Sequence, residues 1–489
     1  MDDASVRSMH VVMLPWLAFG HILPFTELAM RIARHGHRVT LLSAPRNTRR
    51  LIGDIPPDLA VAGLLRVVDV PLPRVAGLPD AAEATADLPS DDLRPLLRWA
   101  FDAAFAAALS DALREPPPRR PDWVLIDYAA HWAPAAAAAH GVPCAFVGLF
   151  SAAALGFIGP PEALAGGGKH AKTRPEHFTA VPEYVPFPTA VAFRRYEARE
   201  KVKPAGLAHR DGAGVSEAYR FGKSIEGSRL VGVRSSAAFE PEWLRLLGEL
   251  YRKPVIPLGL LPPPWLLAQQ GAAVAGHDAT LRWLDGQAPG SVVYVAFGSE
   301  AKLTSAQLRA VALGLESSEL PFLWAFRAAP APAGVETAGE DIDMITGLPA
   351  GFEARVAGRG LVCRGWVPQI RLLSHGSVGG FLTHAGWNSV VEGLALGVRL
   401  VLLPLMFDQG LNARHLMEKK VGVEVTRDED DGSFDGGDVA AALRRVMAEE
   451  EDRAEVKQLA KVFGNEEANE QCVRDFLRCL LESTPQRQA

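Results

Sequence analysis

Residues 366–409 read WVPQIRLLSHGSVGGFLTHAGWNSVVEGLALGVRLVLLPLMFDQ, and they decide the fold. SVGGFLT is a short apolar strand ending at Thr383, HAGWNS is a glycine-containing turn, NSVVEGLAL opens a helix, and RLVLLP is a second apolar strand. That is a βαβ unit of a parallel sheet. Backbone N–H groups at the helix start have no intrahelical partners and add to the helix dipole, so the turn favours an anionic phosphate. Asn388 and Ser389 add side-chain donors, and His384 can supply a hydrogen bond or a positive charge. Glu392, one helical turn past Asn388, can accept from ribose hydroxyls; Asp408 and Gln409 can bracket a sugar ring; Trp366 offers a flat face to a base. Base-stacking, phosphate-binding and sugar-binding residue types on one unit point to a nucleotide sugar.

The same alternation runs through the chain. MHVVMLPW is a first strand, followed by the loop AFGH; Pro24 then opens a helix, FTELAMRIARHG, which Gly36 stops before the strand HRVTLLSA. PDWVLIDY, CAFVGLF and RLVGVRSS continue the series as buried strands, with WAPAAAAAHG as a helix between the first two. A proline-rich stretch, KPVIPLGLLPPPW, breaks the rhythm, and a second series follows: SVVYVAFGSE, the helix SAQLRAVALGLE, FLWAFR, GLVCRGW, and the unit quoted above. The expected fold is α/β, with two doubly wound Rossmann-like domains facing a cleft. The expected boundaries are an N-terminal acceptor-binding domain at 1–252, a linker at 253–280, a nucleotide-sugar-binding domain at 281–465, and a C-terminal helix at 466–489. That helix has a one-faced apolar pattern that packs on the N-terminal domain. Residues 159–228 and 328–350 are read as long irregular segments.

At 489 residues the chain is too long for one ordinary core. A net charge of −6, with dispersed Lys and Arg, carries no nucleic-acid footprint. The four cysteines form neither a secreted disulfide framework nor paired CxxC spacing, which points to a reducing compartment. The uncharged run 141–161 contains Pro143 and many small residues and reads as a buried strand entering a helix, not as a membrane span. A cytoplasmic monomer without nucleic-acid or membrane partners is expected.

The 44 residues from Trp366 to Gln409 resemble, position by position, the signature box of plant family-1, secondary-product UDP-glycosyltransferases. The resemblance implies a GT-B fold and an inverting, metal-independent transfer from a UDP-sugar. It implies that Trp366 stacks on uracil and that Gln369 meets the uridine. His384, Asn388 and Ser389 would hold the diphosphate, helped by backbone N–H groups at Gly298 and Ser299, and Val367, Gly386 and Trp387 would also belong to the UDP-sugar site. Glu392 would hold the ribose, and Asp408 and Gln409 the sugar hydroxyls. Ala385 departs from the family's usual Cys, a neutral exchange of small residues. Taken alone, Gly386 and Trp387 also read as packing residues.

His21 follows the first strand and Asp127 ends another, so both can reach the carboxyl rim of one parallel sheet, where a His–Asp pair can activate a hydroxyl nucleophile. Pro15, Gly20, His21 and Pro24 match the family's P-x-x-x-x-G-H-x-x-P pattern, which implies that His21 is the catalytic base and Asp127 its partner. Ser151 matches a position near the sugar 6-hydroxyl. Trp16 and Phe19, with the segment 71–89, resemble the branch that adds a sugar to a sugar, and Trp16, Phe19, Trp132 and Phe150 are candidates to stack on the acceptor; each also reads as core packing.

The expected activity is transfer of glucose from UDP-glucose, a co-substrate with no further cofactor. The acceptor is a sugar hydroxyl of a small-molecule glycoside, a terpenoid such as a steviol glycoside or a flavonoid, and the linkage is 1→2. Two acid runs, Asp341–Asp343 and Asp428–Asp430, are read as solvated loop charges, and no metal site is expected. The alternatives are transfer to a free aglycone and a non-catalytic nucleotide-sugar-binding protein. A nicotinamide-dependent oxidoreductase is disfavoured because AFGH stands where a G-x-G-x-x-G would follow the first strand.

Overall fold

In a computed structural model the described residues are 8–51, 53, 55–203, 206–210, 214–263, 278–326, 347–448 and 451–484. They divide into two units: residues 1–188, 199–261 and 466–489 form the first, and 189–198 with 262–465 form the second.

The first unit is built on seven parallel strands: β1 His10–Leu14, β2 Arg38–Ser43, β3 Leu65–Asp69, β4 Trp123–Ile126, β5 Cys144–Gly148, β6 Leu230–Val233 and β7 Val255–Pro257. Their spatial order is β3-β2-β1-β4-β5-β6-β7, so the strand order reverses between β1 and β4. β4 and β5 are buried at every position, the mark of strands covered on both faces. The second unit has six parallel strands: β8 Val292–Ala296, β9 Phe322–Phe326, β10 Gly360–Arg364, β11 Val378–Thr383, β12 Arg399–Leu402 and β13 Gly422–Glu424. Their order, β10-β9-β8-β11-β12-β13, reverses between β8 and β11. Both units are doubly wound α/β.

The structure departs from the sequence reading at several points. The helix after β1 runs from Phe19 to Arg34 and carries Pro24 inside it. The N–H groups of His21 and Ile22 both donate to the Ala18 carbonyl at 2.8 Å, so the turn forms ahead of the proline, and His21 stands on the first helical turn, not in a loop. β7 lies within the stretch expected to be linker; Val231 and Val255 are paired in register, which makes Val255–Pro257 the edge strand of the first sheet. Of that linker, residues 264–277 fall outside the described residues, as does most of the irregular segment at 328–350. The segment 159–228 contains an amphipathic helix, Glu217–Gly227, capped by Ser216, whose side chain accepts from the Tyr219 N–H. β3 and β13 are short strands that sequence periodicity did not single out.

The last helix, Glu466–Ser483, buries Val473, Phe476, Leu477 and Leu480 in the core of the first unit with Met13, Phe25 and Trp123. Polar contacts fix its register. Buried Arg31 pairs with Glu466 at 2.8 Å and Glu470 at 2.9 Å, and the Trp123 indole donates to the Leu480 carbonyl at 3.1 Å. The Leu260 N–H donates to Asn469 Oδ1 at 2.6 Å, where Gly259, at φ 74°, lets the backbone approach. Asn469→Ala strands that buried N–H, and is expected to lower the unfolding free energy by about 1–3 kcal/mol. The measurement is the denaturant midpoint, which should fall at unchanged slope.

Candidate active site

His21, on the first turn of the helix after β1, and Asp127, directly after β4, follow the two strands flanking the reversal in the first sheet. Their separation along the chain is 106 residues, yet His21 Nδ1 lies 2.7 Å from Asp127 Oδ2. The carboxylate also accepts from the Trp16 N–H at 3.0 Å and the Tyr128 N–H at 2.7 Å, so three donors orient it. An ionised carboxylate can only accept, so Nδ1 carries the hydrogen, and in the neutral ring Nε2 keeps the lone pair. The Asp127 side chain is 1% exposed and that of His21 16%, so the imidazole is the accessible member of the pair. Phe150 meets the imidazole edge-on at a centroid distance of 5.4 Å, and Tyr128 lies 5.6 Å away. Tyr128 in turn stacks on Phe221 at 4.4 Å, an aromatic wall whose second member comes from the helix missed in the sequence.

The other residues expected on the acceptor side divide. Phe19 is half-buried under the Arg50 guanidinium, which lies 5.0 Å from the ring centroid. Trp132 is also half-buried and donates its indole N–H to Asp102 at 2.8 Å, a carboxylate that Arg220 clamps with both terminal nitrogens. Trp16 does not fit an acceptor-stacking role: it is 1% exposed and packs edge-on against Phe101 at 5.4 Å. Ser151 is fully buried and its Oγ accepts from the Ala154 N–H at 3.1 Å, so it caps the helix Ala152–Ile158. The N–H groups of Ala152 and Ala153 at that helix start are taken by Glu240, at 3.0 and 2.9 Å.

In the second unit the reversal lies between β8 and β11, and the loops after those strands carry Gly298 and Ser299, and His384 through Ser389. The His384 ring passes between two glycines. A methyl on Gly298, at φ 74°, would lie 2.8 Å from Cε1 and Nε2, and one on Gly386 would lie 2.5 Å from Nε2. Burial pushes the imidazole down to about 4, so it is neutral at pH 7 and offers a hydrogen bond rather than the positive charge allowed by the sequence reading. Ala385, the position that departs from Cys, adopts φ 62°. Gly386 is the N-cap of the helix Trp387–Ala395, and no side chain caps it. Asn388 is partly exposed on the first turn, whereas Ser389 is 5% exposed. Trp387 is 4% exposed and packs its indole edge-on to Phe463, so its side chain belongs to the core.

Of the residues expected at the uridine and ribose, Gln369 and Glu392 come together. Trp366 is 66% exposed, Val367 is half-buried, and Gln369 Nε2 donates to Glu392 Oε2 at 2.6 Å. At the other end Gln409 is 5% exposed, and its Oε1 accepts from the N–H groups of Leu405 and Met406, both at 2.9 Å. Only its amide nitrogen remains for a sugar, while the partly exposed Asp408 offers a carboxylate. Asn412 was missed in the sequence. It is fully buried, and its side-chain nitrogen donates to Asp408 Oδ2 at 2.9 Å and to the Ala385 carbonyl at 3.1 Å, joining the loops after β11 and β12. Its place four residues past Asp408 on a helix was the available signal.

A sequence profile of UDP-glucoronosyl and UDP-glucosyl transferase matches residues 280–467. UDP-glycosyltransferase 91C1 of Arabidopsis thaliana is 44% identical over 98% of each chain. This chain is a plant family-1 UDP-glycosyltransferase. Soyasaponin III rhamnosyltransferase of Glycine max is 36% identical over 97% of this glycosyltransferase and 96% of its own length. UGT73P12 of Glycyrrhiza uralensis, crystallised with glycyrrhetinic acid 3-O-monoglucuronide, shares the GT-B fold at a TM-score of 0.75 and 23% identity, over 97% and 96% of the two chains. The protein is thus a sugar-transferring enzyme. No helix among the described residues is long and apolar enough to cross a membrane.

The state of His384 makes a pH prediction. Its folded pKa lies below the ordinary 6.5, so between those values the unfolded chain binds the extra proton. Stability is fully present above about 6.5 and is lost as pH falls toward about 4. His384→Gln, which cannot titrate, should lose less stability over that window in paired thermal-unfolding series; identical pH dependence would contradict a neutral buried ring.

Proposed function

We propose that this enzyme transfers glucose, with inversion, from UDP-glucose to a sugar hydroxyl of a small-molecule glycoside, forming a 1→2 linkage without a metal ion. The observation that carries the reading is the partly exposed His21 imidazole held at 2.7 Å by a buried carboxylate. In the proposed step the acceptor oxygen attacks the anomeric carbon as its proton passes to His21 Nε2, and the bond from that carbon to the UDP oxygen breaks with its electron pair leaving on UDP. Attack from the side opposite the leaving group inverts the centre. Asp127 stabilises the imidazolium that forms. The diphosphate is assigned to the N–H groups that begin the helix Trp387–Ala395, with Asn388 and His384 as donors; such preorganised donors supply several kcal/mol of barrier reduction. Uracil is assigned to Trp366, the ribose to Glu392, and the sugar hydroxyls to Asp408 and Gln409.

Support for a glycoside acceptor comes from the soybean relative, whose name makes a saponin its acceptor. The same name makes rhamnose its sugar, so the glucose assignment rests on Gln409. For a metal-independent step the support is local: Asp428 Oδ1 accepts from the N–H groups of Asp430 and Asp431 at 2.7 and 3.1 Å, which ties that acid run into its own turn. Asp341–Asp343 lies outside the described residues.

His21→Ala should lower kcat/KM by about 10² to 10⁴ while UDP affinity stays within about twofold. Asp127→Asn should be impaired as well, and wild-type turnover in either variant contradicts the dyad. Substrate class is tested by pairing UDP-glucose, UDP-rhamnose and UDP-xylose with a flavonoid or diterpenoid and with its monoglucoside. The expected result is the highest kcat/KM for UDP-glucose with the glucoside, with unchanged rate in EDTA and a 1→2 product by NMR. Preference for the free aglycone would replace the sugar-on-sugar reading.

A further inference from the structure

The first unit's sequence is interrupted by ten residues, Thr189–Ala198, that belong structurally to the second. They form a strap along the helix Gln409–Glu418, the helix that begins with the sugar-reading residues. The strap is held at both ends. Thr189 Oγ1 donates to Glu418 at 3.0 Å, and the Ala190 N–H donates to the same carboxylate. Farther along, Arg194 pairs with the buried Glu424 at 3.1 Å, and the Arg427 guanidinium lies 4.5 Å from the Tyr196 ring centroid.

Glu197 is the strap residue that lies against Gly410, next to Gln409. Its side chain is 10% exposed and forms an ion pair with Arg414, itself 8% exposed. The Arg194 N–H donates to Glu197 Oε2 at 2.8 Å, and Arg414 Nη1 donates to the Gly410 carbonyl at 2.7 Å. The carboxylate lies directly against Gly410, where a methyl group would overlap Oε1. Gly410 follows Gln409 immediately, and the loop before it holds Phe407 at φ 51°, a conformation that a bulky residue keeps only when its surroundings impose it. The ion pair therefore presses on the first turn of the helix that presents Asp408 and Gln409.

We propose that Glu197 is a positioning residue for the transferred sugar: clamped by Arg414 against Gly410, it sets the angle at which Asp408 and Gln409 meet the sugar hydroxyls. The inference rests on the assignment of those two residues to the sugar. It makes the strap, which comes from the acceptor half of the sequence, a determinant of donor-sugar choice. Glu197→Gln keeps the side-chain volume and removes the charge; Arg414 keeps Glu424, 3.3 Å away, as a partner, so the substitution leaves no orphaned cation.

The test measures dissociation constants of UDP and of UDP-glucose, together with KM and kcat, for the full-length wild type, Glu197→Gln, Glu197→Asp, Gly410→Ala and Asp408→Ala. UDP has the nucleotide and diphosphate but no sugar, so a loss confined to UDP-glucose isolates the sugar end. Glu197→Gln and Gly410→Ala are expected to weaken UDP-glucose about five- to tenfold, to leave UDP within twofold, and to narrow the preference for UDP-glucose over UDP-xylose; Glu197→Asp should recover part of the loss. Equal weakening of UDP and UDP-glucose would mark a merely structural ion pair and overturn the proposal. An unchanged ratio in Glu197→Gln, with a changed ratio in Asp408→Ala, overturns it alone. An unchanged ratio in both overturns it together with the sugar-end assignment beneath it.

Discussion

A parallel sheet whose strand order reverses sends the loops after its two central strands to opposite faces, and the chemistry of both units depends on the crevice this leaves. In the first sheet the flanking strands are β1 and β4, and the crevice brings His21 to Asp127 across 106 residues of chain. In the second they are β8 and β11, and the crevice brings Gly298 to the His384 ring. Neither pair could form if the strands ran in sequence order across the sheet. The packed, two-sided burial of the central strands gives each crevice a rigid floor.

The same helix-start physics is used in two opposite ways. The helix Ala152–Ile158 begins against Glu240, a buried carboxylate of the protein, so its orphan N–H groups are already satisfied by an internal anion. The helix Trp387–Ala395 begins at a glycine with no side-chain cap. A neutral His384 beside it adds a donor without adding a charge: burial lowers its pKa, and Gly298 and Gly386 leave room for the ring. The first arrangement holds the fold; the second suits a ligand with its own negative charge.

Strand and helix identity was legible wherever apolar runs were long. The signature run showed its βαβ character in SVGGFLT and RLVLLP, and those residues are β11 and β12. Short or interrupted elements were not legible. Pro24 looked like a helix start, because a sequence cannot show that the turn is already closed by bonds to the Ala18 carbonyl. Val255–Pro257 looked like linker because two residues between prolines have no periodicity, and only pairing with β6 makes the segment a strand. Trp16, Trp387 and Ser151 carried ligand-binding residue types, but the side chains of the two tryptophans are buried and the Ser151 hydroxyl caps a helix, which residue type alone does not show.

What the sequence by itself determined is the set of chemical groups and their local geometry: the doubly wound alternation, a helix start suited to a diphosphate, and a histidine and an aspartate at strand ends. These follow from neighbours in the chain, where spacing and backbone preference are enough. Only the tertiary structure decided which of those side chains stay exposed, that Asn412 ties Asp408 to the Ala385 carbonyl, and that a strap from residues 189–198 lies on the helix that begins at Gln409. Those outcomes depend on contacts such as Glu197 with Arg414, 217 residues apart, and on burial, a property of the packed chain rather than of any stretch of it.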